Sequence, residues 1–366
     1  MIDNGEQRAW LRLALTQGVG PRARLDLLSV FGLPAAIFEA GRSALVRVVG
    51  EEAADALQSP APLSAIEHAL AWLHADRSRS LLTLADQDYP EPLLQLADPA
   101  AVLYLQGRRE LLGAPALAIV GSRNATRQGE LNARAFAAHL GSCGLAIVSG
   151  LARGIDAAAH LGALEADAAT IAVLGTGADI AYPASNRALA ERIGRDGLLL
   201  SEYPLGTPGV ASNFPRRNRL IAAIARGVLV VEAAMQSGSL ITARLAAELG
   251  REVMAIPGSI HSPLARGCHR LIREGARLVE SAQDVLQELG MESLQATAAA
   301  AAGASATAIR DEALLEAIGF DPVDLDTLSQ RTGLDSGALS ARLLELELTQ
   351  DVERLAGNRY QRLGRG

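Results

Sequence analysis

Three arginines lie close together in the segment FPRRNR, as Arg216, Arg217 and Arg219. A guanidinium group donates hydrogen bonds in a fork that fits phosphate oxygens, and it also stacks on flat rings. Phe214, two residues before the first arginine, adds an aromatic face. Together these residues indicate a site for a partner that carries both phosphates and rings. The alternative explanation is a solvated run of charge beside a buried phenylalanine.

Small polar residues that suit phosphate occur in two other segments. Ser122 and Arg123 follow the apolar run ALAIVG, and QSGSLIT places Ser237, Gly238 and Ser239 at a predicted helix start. Backbone N–H groups, hydroxyls and an arginine at such a position form an anion site. The serines also fit as helix N-caps, and Arg123 also fits as an ordinary surface arginine, so the sequence leaves both explanations open.

The charge balance confines any such site to a local patch. The chain has 366 residues and a net charge of −7, and all 34 of its basic residues are arginine. Residues 205–275 nevertheless contain nine arginines and only four acidic residues. The absence of lysine excludes a P-loop lysine, a Schiff base to pyridoxal phosphate and a lysine general base.

The sequence gives no support for a cofactor or a metal site. The segment GSRNATRQG, at the end of a predicted strand, lacks the G-x-G-x-x-G pattern of dinucleotide-binding turns. Cys143 and Cys268 form no C-x-x-C pair, and His261 and His269 lack the spacing of metal ligands. We therefore expect neither a cofactor nor a metal.

Catalysis is the alternative hypothesis for the same edge. Glu202 and Glu232 each close a predicted strand, which makes them candidates for an acid–base pair at the carboxyl edge. Nucleotide phosphoribohydrolases have a related sheet, but their P-G-G-x-G-T-x-x-E motif is missing here. AAMQSGSLIT stands in the comparable place.

The sequence predicts a cytoplasmic protein without membrane contact. MIDNGEQRAW lacks the basic region and apolar core of a signal peptide. No apolar stretch reaches the roughly 18 residues that span a bilayer. Two distant cysteines also suit a reducing compartment.

A parallel sheet must position the candidate residues. Segments 128–141 and 184–194 are amphipathic and of helix length, and they alternate with short apolar runs: ALAIVGS, LAIVSG, TIAVLG, GLLLSEY, GVLVVEA and EVMAIPG. Continuous apolar strands with helical crossovers predict an α/β fold, a doubly wound, mostly parallel Rossmann-like sheet covered on both faces. Ligands of such folds bind at the carboxyl ends of the strands, where the candidate residues stand.

Smaller domains flank the predicted sheet domain, which covers residues 79–290. Residues 1–78 have apolar residues at the spacing of helices on both sides of a Gly-Val-Gly turn, as in a SAM or helix-hairpin-helix domain. Such a domain either packs against the rest of the chain or contacts phosphate through the turn. The alanine-rich composition of residues 291–307 predicts a linker. Residues 308–366 combine a helix-turn-helix pattern with a hairpin near Gly357, which predicts a winged-helix-like domain.

The ordered set of strand-end motifs resembles the DNA-processing protein A (DprA/Smf) family. The resemblance covers residues 80–280 and runs through GSRNATRQG, SGLARGID, GTGADIAYP, SEYPLGTP, FPRRNRLIA, QSGSLIT and IPGSIHSPLARGCHRLIREGA. It implies an extended Rossmann-like fold that binds single-stranded DNA without catalytic turnover. It also implies a homodimer that protects incoming DNA and loads RecA recombinase during natural transformation, with single-strand-binding protein as a further partner.

The resemblance also assigns the DNA-binding residues. The residues that contact DNA by this assignment are Arg123, Phe214, Arg217, Asn218 and Arg219. The residues that line the same site are Ser122, Ser149, Gly150, Ser237, Gly238 and Ser239. Arg216 is left out, because a small residue often stands at that position in the family.

The sequence departs from the family at two positions. Some relatives have a DNA-contacting lysine where this chain has Ala184 and Ala211. We expect binding either to be weaker or to depend on Arg153 or Arg187 instead.

The C-terminal domain is a poor candidate for phosphate contacts. Residues 308–366 contain seven arginines and eleven acidic residues, and the predicted recognition helix carries Glu345 and Glu347 beside Arg342. A protein-interaction role for this domain is therefore at least as well supported as DNA binding. A pure scaffold that recruits partners through it is a third hypothesis for the whole chain.

Overall fold

The N-terminal part of the chain is helical. The computed structural model describes residues 4–291 and 312–364. The first five helices are α1 Asn4–Leu15, α2 Pro21–Phe31, α3 Pro34–Glu39, α4 Arg42–Gln58 and α5 Leu63–Ala75. Between α1 and α2 the chain turns at Gly18, whose φ of 81° lies in the left-handed region that favours glycine. Pro21 then opens α2, where its missing N–H costs no helical hydrogen bond. The predicted helical character of this segment is confirmed.

A nine-stranded sheet forms the centre of the molecule. Its strands are β1 Arg79–Thr83, β2 Val102–Gly107, β3 Ala116–Val120, β4 Ala146–Ser149, β5 Thr170–Val173, β6 Leu198–Ser201, β7 Gly227–Val230, β8 Glu252–Ala255 and β9 Arg277–Leu278. Their order is β1-β2-β6-β5-β4-β3-β7-β8-β9. The strands from β6 to β9 in this order pair in parallel, whereas β2 pairs antiparallel with both β1 and β6. The predicted doubly wound, mostly parallel fold is confirmed.

Helices cover both faces of this sheet. They are α6 Glu91–Leu94, α7 Arg127–Ser142, α8 Ile155–Glu165, α9 Arg187–Asp196, α10 Asn213–Ile224, α11 Ser239–Glu248, α12 Arg266–Arg273 and α13 Ala282–Glu288. Strand β3 shows why the apolar runs are continuous. Its Ala118 and Val120 pack on the α10 and α11 side, while Leu117 and Ile119 pack on the α7 and α8 side. Because both faces are buried, every position of the strand is apolar.

The C-terminal residues fold as a winged helix. Its elements are α14 Glu312–Ile318, β10 Val323–Asp324, α15 Leu325–Thr332, α16 Ser336–Leu348, β11 Val352–Leu355 and β12 Arg359–Arg362. Asp335 caps α16 by accepting from the backbone N–H of Gly337 and Ala338. The hairpin between β11 and β12 turns at Gly357 and Asn358, both with positive φ, so the predicted wing is confirmed. Apart from Met291, the predicted linker 291–307 lies outside the described residues, and the predicted domain limits stay predictions.

Candidate nucleic-acid interface

A cavity of about 420 Å³ opens at the carboxyl ends of the neighbouring strands β3 and β7. We call it the strand-edge cavity. The predicted site residues that line it are Ser122, Arg123, Phe214, Arg217, Asn218, Ser237, Gly238 and Ser239. They come from the turn after β3, from α10 and from the start of α11, so three separate segments meet at the edge where α/β sheets bind ligands.

Arg217 is buried and cross-links two strand ends. Its Nη1 donates to the carbonyl oxygen of Gly150 at 2.9 Å and to that of Val173. Gly150 follows β4 directly, and Val173 is the last residue of β5. Gly150 lies so close that a Cβ there would be 2.5 Å from Arg217 Nη2. Burial lowers the pKa of Arg217 to about 10, so the guanidinium stays charged at neutral pH. Arg217 therefore uses much of its hydrogen-bonding capacity to hold the ends of β4 and β5 together.

Asp156 at the start of α8 faces this guanidinium. Its carboxylate accepts from the backbone N–H of Gly150 at 3.1 Å and of Ala152 at 3.3 Å. Burial raises the pKa of Asp156, and Arg217 opposes that change. The pair supplies one positive and one negative group to the floor of the strand-edge cavity, since both residues line it.

Arg219 lies away from the strand-edge cavity. It forms an ion pair with Glu202, and its Nε lies 3.4 Å from Asp98 Oδ1. Burial raises the pKa of Glu202, and Arg219 opposes that change. Residues two apart on a helix do not face the same way, so Arg217 and Arg219 point to different surroundings. The structure does not bring Arg219 together with the other predicted site residues.

Ser149 and Gly150 also do not line the strand-edge cavity. The Ser149 hydroxyl is fully buried and donates to the carbonyl oxygen of Ile119 at 2.6 Å, which links β4 to β3. Gly150 contributes its backbone to Arg217 and Asp156. Both residues therefore support the site from behind its lining.

An aromatic stack stands beside the strand-edge cavity. The Arg123 guanidinium carbon lies 5.4 Å from the centroid of the Phe214 ring. Tyr182 stacks on the same phenylalanine, with ring centroids 5.3 Å apart and an interplanar angle of 29°. No functional role was assigned to Tyr182 from the sequence. Its signal was an aromatic residue after a strand, in a chain where only 3% of residues are aromatic.

The serine loop before α11 is shaped by its own hydroxyls. Ser237 Oγ and Ser239 Oγ are 2.7 Å apart, and the Ser239 N–H donates to Ser237 Oγ at 3.3 Å. The Asn218 side chain reaches the carbonyl oxygen of Gly238 at 3.4 Å, which ties α10 to this loop. The first N–H groups of α11 thus stand at the cavity wall, where a helix N-terminus favours an anion.

Glu232 occupies the start of α7. Its carboxylate accepts from the Thr126 N–H at 2.9 Å and from the Thr126 hydroxyl at 2.6 Å. A Cβ at Gly129 would lie 2.5 Å from the Glu232 carboxyl carbon, so only glycine fits there without a shift. Burial raises the pKa of Glu232. The first helix N-terminus of the parallel sheet, where dinucleotide-binding folds place a pyrophosphate, is therefore filled by a carboxylate of the chain itself.

The two candidate acid–base residues do not meet. Glu202 follows β6 and Glu232 follows β7, and three strands lie between them. Four strand spacings correspond to about 19 Å. The hypothesis that these carboxyl groups form an acid–base pair is therefore wrong.

Several arginines around the strand-edge cavity are exposed. The guanidinium groups of four of them form neither an ion pair nor a hydrogen bond with other described residues: Arg123, Arg153, Arg187 and Arg216. Arg153 follows β4 and Arg187 opens α9 after β5, so free cations accompany successive strand ends. Exposed cations in this arrangement attract a polyanion.

Comparison with known proteins decides the family. Residues 80–290 match the family model of DNA recombination-mediator protein A, and residues 297–358 match that of the DprA winged helix domain. The chain belongs to the DprA/Smf family. Protein Smf of Synechocystis is 36% identical over 405 residues, an alignment that covers 98% of this chain and 99% of the relative. DNA processing protein DprA of Streptococcus pneumoniae is 50% identical over 56% of this chain and 73% of the relative.

Solved structures of DprA proteins share the fold. The X-ray structure of DNA processing protein A from Streptococcus pneumoniae has a TM-score of 0.67 at 38% identity, over 77% of this chain and 97% of that chain. A structure of DNA processing protein A from Helicobacter pylori, which describes its single-stranded DNA binding mode, has a TM-score of 0.52 at 30% identity. The match covers 58% of this chain and 95% of that chain.

The described part of this DprA/Smf chain shows neither a metal site nor a membrane-spanning helix. Among residues 4–291 and 312–364, no group of three or more His, Cys, Asp or Glu side chains could hold a metal ion. Within the same ranges no helix is both long and apolar enough to cross a bilayer. The strand-edge cavity combines N–H donors, hydroxyls and a free guanidinium, which is a set that binds phosphate.

Proposed function

We propose that this protein binds single-stranded DNA at the strand-edge cavity, as a cytoplasmic recombination mediator without catalytic turnover. One observation carries the proposal: the unpaired Arg123 lies beside the aromatic stack and at the same cavity as Asn218 and the serine loop. Phosphates would lie against the cation and the N–H groups, and bases against the aromatic rings. Family membership and the DNA-binding relative from Helicobacter pylori support it.

The eleven predicted residues have different roles in this proposal. Arg123, Asn218, Ser122 and the serine loop contact the DNA backbone directly. Phe214 supports the aromatic surface. Arg217, Ser149 and Gly150 hold the strand ends in place, and Arg219 stabilises α10 from outside the cavity.

The proposal predicts a preference for single strands and a steep salt dependence. Stacking requires exposed bases, whereas phosphate contacts release counterions whatever the sequence. Fluorescence anisotropy with labelled oligo(dT) and a matched duplex, from about 50 to 200 mM salt, measures both. We expect the single strand to bind more tightly and its affinity to fall as salt rises. Equal binding of single strand and duplex would contradict the proposal.

We also propose that the protein protects incoming DNA and loads RecA during natural transformation, as a homodimer. Membership of the recombination-mediator family supports this role. RecA filament formation on DNA covered by single-strand-binding protein should become faster when the protein is added. Light scattering coupled to gel filtration should give twice the mass of one chain. An unchanged rate would contradict the loading role, and a single-chain mass would contradict the dimer.

We expect no catalytic turnover, because Glu202 and Glu232 both have structural roles. Glu202 pairs with Arg219 and Glu232 accepts from Thr126 at the start of α7, so each carboxyl group already has a structural partner. Incubation with nucleoside monophosphates should release no free base. Release of base at a rate proportional to protein concentration would instead support a phosphoribohydrolase.

A further inference from the structure

Tyr182 is an exposed aromatic residue with no assigned role. Its side chain is 46% exposed, and only Phe320 among the aromatic residues of ranges 4–291 and 312–364 is also largely exposed. Aromatic rings are normally buried, because leaving their apolar surface in water costs free energy. An exposed ring beside a candidate DNA site offers a flat apolar face on which a base can stack.

The Tyr182 ring is held in a fixed position. It stacks on Phe214, and Gly209 packs so closely that a Cβ there would be 2.8 Å from Tyr182 Cδ2. The following loop is tied to the end of β4, because the Asn186 amide donates to the carbonyl oxygens of Leu151 and Ala152 at 3.0 and 3.2 Å. A ring fixed before binding loses little conformational entropy when a ligand arrives.

Phe214, in contrast, is already covered. Part of the residue is exposed, but Arg123 and Tyr182 both lie against its ring. Gly175 packs against it as well, since a Cβ there would be 2.6 Å from Phe214 Cδ1. A base that stacked on Phe214 would have to displace one of these neighbours, whereas the exposed part of Tyr182 is free.

We propose that Tyr182 is a base-stacking residue of the DNA site, and that Phe214 is the spacer that aligns Tyr182 with Arg123. This inference rests on the proposed binding of single-stranded DNA and adds where a base is held. The chemistry that Tyr182 recognises is the flat face of a nucleobase, which every base has, so the contact carries no sequence preference. Arg123, which lies against the Phe214 ring, is then in position to contact the adjoining phosphate.

An abasic oligonucleotide separates stacking from phosphate contact. Binding of the full chain to oligo(dT) and to an abasic strand of equal length is measured by anisotropy for wild type, Tyr182→Ala and Tyr182→Phe. We expect Tyr182→Ala to weaken oligo(dT) binding by about 5- to 150-fold, the range for one stacked base. Its affinity for the abasic strand should not change, and Tyr182→Phe should bind like wild type. Phe320→Ala, which removes the other exposed aromatic ring, should leave both affinities unchanged.

The outcomes distinguish this inference from the proposed function. If wild type binds neither strand, the proposed function fails and this inference fails with it. If wild type binds and Tyr182→Ala weakens both strands equally or neither, only the stacking role is overturned.

Tyr182→Trp provides a test that does not require removal of the ring. The native tryptophans Trp10 and Trp72 are buried in the N-terminal core, so a new indole at 182 reports locally. Oligo(dT) should quench its fluorescence and the abasic strand should not. Equal fluorescence with and without oligo(dT), at concentrations where anisotropy shows binding, would overturn the stacking role.

Discussion

Arg216, Arg217 and Arg219 belong to one helix, but their side chains meet different surroundings. Arg216 is exposed and forms no ion pair with the described residues. Arg217 donates to carbonyl oxygens at two strand ends, and Arg219 pairs with Glu202. A helix turns about 100° per residue, so neighbours in sequence point in different directions. Three similar residues therefore provide one free cation and two buried cross-links.

Replacement of Arg219 by alanine tests the structural role of this residue. The change leaves Glu202 in a site where its side chain is only 6% exposed, without its guanidinium partner. Removing one member of a buried pair costs about 3–5 kcal/mol, because the remaining charge is uncompensated. We expect the free energy of unfolding, measured with denaturant at neutral pH, to fall by that amount. The exposed neighbour Arg216→Ala should change it by less than about 0.5 kcal/mol, and equal losses in both variants would contradict the assignment.

Residue types could be predicted from the sequence, but side-chain directions could not. Ser122, Arg123 and the serine loop follow strands, and the strand-end rule places all of them at one edge. The partner of Arg217 is a carbonyl group 44 residues away, which no local pattern indicates. Tyr182 was missed for the same reason, since its contact with Phe214 joins two distant loops.

At the scale of elements, helix N-termini at the carboxyl edge are used differently. The N-terminus of α7 is filled by Glu232, whereas that of α11 opens on the strand-edge cavity. A carboxylate at the first site repels phosphate, and N–H groups at the second attract it. Of these two helix N-termini, the one at the edge between β3 and β7 is therefore the more favourable position for an anion. The sequence gives no sign that Glu232 reaches the start of α7, because this contact joins residues 106 positions apart.

His160 of α8 links this helix to the sheet and gives stability a pH dependence. Its Nδ1 lies 2.7 Å from the Thr170 hydroxyl, which itself donates to the carbonyl oxygen of Ile147. The hydroxyl must therefore accept from Nδ1, and a second proton on the ring would place a charge in a fully buried site. Burial, together with the nearby charge of Arg217, lowers the pKa of His160 from 6.5 to about 3.

The unfolded chain thus binds a proton at this histidine below pH 6.5, while the folded chain does not. Stability from this residue is complete above pH 6.5 and is lost as pH falls, with a slope of at most about 1.4 kcal/mol per pH unit. We expect His160→Gln to remove this part of the slope in denaturant titrations between neutral pH and pH 5. The exposed His139→Gln should keep the wild-type slope. Parallel curves for wild type and His160→Gln would contradict the account.

Six of the nine strands were predictable because both of their faces are buried. Each of β3 to β7 is a short, largely apolar run whose alternate side chains pack on opposite cores. β8 begins at the exposed Glu252, but its Met254 and Ala255 are buried in the same way. The edge strands gave weaker signals. β1 and β9 contain arginine and are five and two residues long, so their pattern resembles that of a loop. β2 is apolar, but no helical crossover marks it, because it pairs antiparallel with both neighbours.

At the scale of the whole molecule, an acidic chain carries a row of unpaired arginines at the carboxyl edge of its sheet. The net charge of −7 disfavours polyanions over most of the surface. Arg123, Arg153 and Arg187 follow successive strands at the carboxyl edge, without acidic partners in the described ranges. The winged helix adds little to this attraction, since its seven arginines face eleven acidic residues. Local charge, rather than total charge, therefore supports the DNA-binding proposal.

The most direct test compares two exposed arginines at opposite edges of the sheet. Arg123 follows β3 at the carboxyl edge, and Arg226 precedes β7 at the amino edge and has no ion pair with other described residues. The measurement is the affinity of Arg123→Ala and Arg226→Ala for oligo(dT), by fluorescence anisotropy across a salt series. We expect Arg123→Ala to lose about tenfold or more, as for a charge-assisted hydrogen bond, and its salt slope to decrease by about 0.7. Arg226→Ala should bind like wild type, whereas wild-type binding by Arg123→Ala, or equal losses in both variants, would contradict the strand-edge site.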